Sequence, residues 1–191
     1  MISTFIIVLP LLLSPGPANL VTFALAARFG FARVLSFQLG IIVVYFIVAF
    51  LLGLVTHQLA AFAPYGLAVI RVMGGLFIVY LGVRLAYRTR RGTQDVQVPR
   101  FAKGVLFQCF NPKYPPVVLT VFASRPDEPT VITAGVIAIV GAMGLFVHST
   151  AGSLVRYLSP SDKWSRNLDV GFGVLLALVG FWIAVKPFIS N

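Results

Sequence analysis

The chain has 191 residues, 59% of them hydrophobic and only 10% charged, with a formal net charge of +10. No ordinary soluble domain carries that composition on its surface, so the sequence reads as an integral membrane protein. The basic residues cluster at the ends of apolar runs and the aromatics, mostly Phe, lie inside those runs, which argues against a nucleic-acid partner.

Several runs approach or exceed the ~20 residues a helix needs to cross a bilayer, and they lack the alternation of a barrel strand. The first, about Ile2 to Ala27, opens with MISTFIIV, which has neither a basic leader nor a cleavage site and is read as mature structure. It is interrupted at SPGP, Ser14 to Pro17. The second run, about Ser36 to Thr56, is unbroken, and the third, about Gly66 to Tyr87, carries Arg71 near its start and Gly74 and Gly75. A basic linker covers about 88–103. The fourth run, about Gly104 to Ala123, is interrupted by NPKYPP, Asn111 to Pro116. The fifth, about Pro129 to Gly152, contains His148 near its end, and the sixth, about Leu168 to Val185, follows Asp162 and Lys163 in a last basic loop.

Loop charge sets orientation. Arg28 and Arg33, then Arg88, Arg90, Arg91, Arg100 and Lys103, then Arg156, Lys163 and Arg166 fall in alternate loops, against Arg125 and Lys186 on the other side. Six spans with the basic loops cytoplasmic place both termini outside; five spans, with the first or fourth segment re-entrant, would change this. Gly75 and Gly82 recur as Gly173 and Gly180, offset by 98, and Ser14-Pro15 answers Asn111-Pro112 at an offset of 97. The expected fold is therefore all-α and polytopic. Its six transmembrane helices form two inverted three-helix repeats, about 1–92 and 100–191, in a single transporter domain, with the first and fourth helices broken at the proline motifs.

Ser14 and Asn111 are good N-caps and each precedes a proline, so a half-helix is expected to start in each break. Its unpaired N–H groups and positive dipole end would face the middle of the membrane, where they suit an anionic group such as an amino-acid carboxylate. Pro15, Gly16, Pro17, Asn19, Asn111, Pro112 and Lys113 are the candidate substrate-binding residues. Asn19 supplies an amide and Lys113 a charge.

The motifs SPGPANL, FIVYLGVRLAYR and FAKGVLFQCFNPK resemble the LysE/RhtB family of small amino-acid exporters, which pairs PGP in its first span with NPK in its fourth. The resemblance covers nearly the whole chain. It implies efflux of amino acids or related metabolites across a bacterial inner membrane, driven by an ion gradient. The family commonly has Asp or Asn directly after PGP, where this chain has Ala18, and Tyr114-Pro115-Pro116 extends the second break.

His148, Arg71 and Asp169 are candidates for coupling or for the pathway; snorkelling or interfacial capping is the competing reading of the first two. All five acidic residues fall in loops or at span ends, which disfavours a divalent-metal cargo, and no phosphate-binding glycine motif points to ATP. No catalytic residue, metal or cofactor is implied. The expected partners are the bilayer and a small-molecule substrate; Gly40, Gly53, Gly74, Gly75, Gly82, Gly171, Gly173 and Gly180 allow close helix packing within one protomer or between copies. Tyr45, Tyr80 and Trp182 either line a pathway or fill it, and Cys109 reads as an inert buried thiol. Two other readings remain: a non-transporting membrane relative, and a thiol-redox carrier of related design, which needs a cysteine in each broken helix.

Overall fold

A computed structural model describes residues 13, 16–59, 63–90, 98–124, 127–158 and 162–189. These residues are all-helical: α1 (Pro17–Phe29), α2 (Phe31–Leu59), α3 (Ala63–Arg90), α4 (Phe101–Cys109), α5 (Tyr114–Ser124), α6 (Thr130–Leu158) and α7 (Asp162–Ile189). Two of them are long and apolar enough to cross a membrane by themselves, through Phe31–Val55 and Thr130–Leu158, with mean hydropathies of 2.6 and 2.3. Both are rich in β-branched residues, poor helix formers in water. In a bilayer the helix is enforced because every backbone donor must be satisfied within the segment.

The helices extend beyond the apolar runs at their polar ends. The third run, about 66–87, becomes α3 at 28 residues, and the sixth becomes α7, also at 28. A single residue separates α1 from α2. Gly30 takes φ 86°, a left-handed conformation that L side chains rarely adopt, and donates its N–H to the Ala26 carbonyl at 2.8 Å, closing α1.

Packing follows from where the small residues lie. The most extensive pairing is α3 against α7, which run antiparallel with Gly75 facing Gly180 and Gly82 facing Gly173. A Cβ built on Gly75 would stand 2.6 Å from the Gly180 carbonyl oxygen and 2.8 Å from Ala184 Cβ. On Gly173 it would stand 2.7 Å from the Gly82 oxygen and 2.9 Å from Ala86 Cβ. The same contact thus occurs twice along one seam, and the backbones touch because no side chain separates them.

Elsewhere α1 packs along α6, and α2 packs against α4, α5 and α6. Gly152 on α6 lies against the Phe23 carbonyl of α1, and one turn on Arg156 lies against Gly30, so α1 and α6 run parallel. The Phe101 N–H donates to Ser36 Oγ at 3.2 Å, while the Tyr114 hydroxyl donates to the Tyr45 carbonyl, so α2 runs parallel to the α4–α5 segment. These contacts gather the α1–α2 junction, the end of α6 and the start of α4 at one end of the bundle. That is the end carrying Arg28, Arg33, Arg100, Lys103 and Arg156. The core lies between α1, α2, α5 and α6 and includes Val34, Ile41, Ala49, Val118, Val121, Ile137 and Leu145.

Candidate functional site

The helix expected between 104 and 123 is divided. α4 stops at Cys109 and α5 starts at Tyr114, so the non-helical stretch is Phe110 to Lys113. Pro112 has no N–H to continue the ladder. The turn closes on itself instead: Asn111 N–H donates to the Gln108 carbonyl at 3.1 Å, and Tyr114 N–H to the Asn111 carbonyl at 3.2 Å. The Asn111 side chain works at both ends, its Oδ1 accepting from the Lys113 N–H at 3.2 Å and its Nδ2 donating to Gln108 Oε1 at 2.9 Å. Asn111 therefore holds the turn that leads into α5, but the helix itself begins at Tyr114, not at Pro112 as its sequence position suggests. Tyr114, Pro115 and Pro116 do not extend the break; they form the first turn of α5, where a proline gives up no hydrogen bond.

The first motif differs from expectation in register. The cap of α1 is Gly16, not Ser14, with φ −145°, ψ 173° and no side-chain cap, and Pro17 is the first helical residue. Leu20 N–H donates to the Gly16 carbonyl at 2.9 Å, completing the first turn. Ser14 and Pro15 lie outside the described residues. A capping glycine leaves the helix start bare, and the missing side chain is where a cation arrives: Lys113 lies over Gly16, with its Cδ 2.8 Å and its Nζ 3.0 Å from where a Cβ would be.

Gly16, Pro17, Ala18 and Asn19 from α1, Tyr45 from α2, and Asn111, Lys113 and Tyr114 from the second break line one small pocket of about 20 Å³. Ligand sites of small-molecule binders run from about 300 Å³ upward, whereas this volume is about that of a single water, so the site is closed down around its lining. Tyr45 and Tyr114 form its wall, with ring centroids 4.7 Å apart at 43°, and Gly141 on α6 leaves the space that the Tyr45 ring occupies. Tyr45 is close to the middle of the apolar span Phe31–Val55. Lys113 is half-buried, and its charge and the positive end of α1 are directed at the same small volume. A family model described as "LysE type translocator" matches residues 9–186.

The chain belongs to that family. Neither a curated protein nor a solved structure gives a match.

In this translocator the candidate residues divide into those at the pocket and those away from it. Pro112 is buried beside the pocket rather than lining it, packed with the Phe110 carbonyl against Gly74 of α3. His148 is not at the end of its span. α6 continues ten residues further, to Leu158, and the ring nitrogen Nδ1 lies 2.8 Å from the Gly144 carbonyl, away from the pocket. Arg71 lies in α3 and Asp169 in α7, with side chains outside the described set. Tyr80 and Trp182 are exposed on the outer faces of α3 and α7, leaving Tyr45 as the aromatic at the pocket among those three. Cys109 is exposed rather than buried: it ends α4 one step past Phe107 and Gln108, which turn inward, so it faces out.

Two glutamines carry what the motifs did not. Gln38 is 0% exposed and neither end of its amide has a hydrogen-bond partner among the described residues; Gln108 is 2% exposed and its Nε2 has none. Such a group costs on the order of 1–3 kcal/mol. The signal was available in the sequence, since each is an amide inside an apolar run.

Proposed function

We propose that this translocator is a secondary-active exporter of amino acids or related small metabolites across the bacterial inner membrane. It works by alternating access around two interrupted helices. The observation that carries the proposal is the meeting of Lys113, from the second break, with Gly16 at the bare start of α1. A carboxylate fits between a lysine and a helix N-terminus, and the amides of Asn19 and Asn111 and the Tyr114 wall offer the neutral contacts an amino acid needs. Gly16, Pro17, Asn19, Asn111 and Lys113 are its substrate-binding residues. Pro112 shapes the second break, Pro15, outside the described residues, keeps its place in the motif as a candidate, and His148, Arg71 and Asp169 stay candidates for coupling.

The architecture proposed is six spans in two inverted repeats of one domain. Its support is the seam between α3 and α7, where the offset of 98 that relates Gly75 to Gly173 also relates Gly82 to Gly180 and Ala86 to Ala184. Parallel α1 and α6, parallel α2 and α4–α5, and antiparallel α3 and α7 agree with six alternating crossings. The gathering of the basic loops at one end agrees with a cytoplasmic placement of that end and external termini.

The test is efflux. Vesicles loaded with a panel of amino acids should lose at least one faster when they contain the folded protein, and Lys113→Met should abolish the difference while insertion is unchanged. No efflux of any amino acid from preparations shown to be folded would sink the proposal.

A further inference from the structure

The polar groups buried in this bundle are distributed unevenly about the pocket. α1 runs from the pocket toward the basic end, α2 runs from the basic end toward the pocket, and α4 does the same. Each carries, between the pocket and the basic end, a buried side chain with an unpartnered polar atom among the described residues: Thr22 Oγ1 on α1, both ends of Gln38 on α2, and Gln108 Nε2 on α4. Thr22 follows the pocket residue Asn19 by three positions and so shares its face. Gln38 precedes the pocket residue Tyr45 by seven positions, two turns or ~10 Å on one face. It also follows Phe31, the first residue of α2, by seven, so it stands midway between the basic end and the pocket. Gln108 is one hydrogen bond from the pocket through Asn111.

The far side of the pocket is different. There α2, α5 and α6 bury Ala49, Val117, Val118, Val121, Phe122 and Ile137. The one buried polar side chain in that region of α6, Thr133, has a partner, Glu128 Oε2, at 3.5 Å. Among the described residues, one side of the pocket is therefore an apolar plug, and the other is a column of amides and a hydroxyl held dry with too few partners.

We propose that Thr22, Gln38 and Gln108 line the collapsed substrate passage between the pocket and the basic face, which opens to water and substrate in the alternate conformation. The inference rests on the exporter reading above and adds the route and its chemistry. A primary amide both donates and accepts without carrying charge, so it can hand on an ammonium group and a carboxylate in turn, which suits a zwitterion and holds neither end tightly. Water in the open state satisfies the same atoms, and the dry state is tolerated because it is one half of a cycle.

The test is thiol labelling in a Cys109→Ser background, with a membrane-impermeant maleimide applied to vesicles of each orientation. Thr22→Cys and Gln38→Cys should label from the basic-loop face at least about tenfold faster than Val118→Cys or Val121→Cys, through an open state populated to a few per cent. Labelling from the opposite face only, or no labelling of either thiol before denaturation, overturns the passage. The readout does not depend on which solute is carried, so labelling in a protein that exports no amino acid would leave the passage standing and remove the exporter reading alone. A second variant guards against misfolding: Gln38→Leu should keep or raise the melting temperature, since it removes unpartnered polar atoms, and should lower efflux at least about tenfold. Unchanged efflux in that folded variant would show that the glutamine only fills space.

Discussion

Lys113 lies across Gly16, its Cδ 2.8 Å and its Nζ 3.0 Å from the position a Cβ would take. The two residues come from breaks almost a hundred positions apart, and the contact exists only because residue 16 has no side chain. In the exporter reading proposed above, the lysine and the start of α1 are the two groups that a substrate carboxylate would meet.

Gly16→Ala is therefore expected to separate function from stability. The colliding atoms belong to a flexible side chain, so the fold can give way, and thermal unfolding should shift by no more than about 1 kcal/mol. Lys113 must swing away from the helix start, and efflux should fall about tenfold. Melting in detergent together with vesicle efflux checks both halves.

The seam between α3 and α7 should behave in the opposite way. Gly75→Val and Gly82→Val each drive a side chain into the carbonyl of the facing glycine, which cannot rotate aside, and each should destabilise the protein by about 1–3 kcal/mol. Gly135→Ala on α6 is the control, because nothing lies within 4 Å of its Cβ position. It should be neutral or stabilising by up to about 1 kcal/mol. Equal melting temperatures for the valine and alanine variants would contradict the packing.

The Tyr114 hydroxyl donates to the Tyr45 carbonyl across the pocket wall. Tyr114→Phe removes that bond while keeping the ring pair, and the expected loss of stability is about 0.5–1.5 kcal/mol, read by chemical denaturation.

A reporter fused after Asn191 should be active on the external side, and fusions within 91–97 on the cytoplasmic side. Cytoplasmic activity of the terminal fusion would reverse the orientation or remove a span.

Much of the helical framework was legible in the sequence because hydropathy, proline and glycine act locally. The unbroken run at 36–56 became α2 with only its ends extended, and Asn111-Pro112 falls in the non-helical stretch between α4 and α5, which is shorter than the Asn111–Pro116 interruption expected. Registers that depend on tertiary contact were less legible. Ser14 and Gly16 are both acceptable caps in isolation, and what sits beside residue 16 is a lysine that no local rule places there. Cys109 and Gln108 are adjacent in sequence and opposite in exposure, since a hydrophobic run that is apolar on all sides does not say which way it faces. The same absence of amphipathic pattern left unsaid that Gln38, conspicuous as an amide in an apolar run, faces inward, and it made Tyr80 and Trp182 look equivalent to Tyr45.

The turn at Phe110 to Lys113 already has its N–H groups matched, by Leu106 and Gln108 on one side and by Asn111 itself on the other. A bend built this way need not melt and re-form with every solute carried. In the alternating-access cycle proposed above, motion would then be a tilting of stiff rods on fixed elbows, and turnover should respond to the viscosity and thickness of the surrounding lipid more than to anything that alters local helix stability.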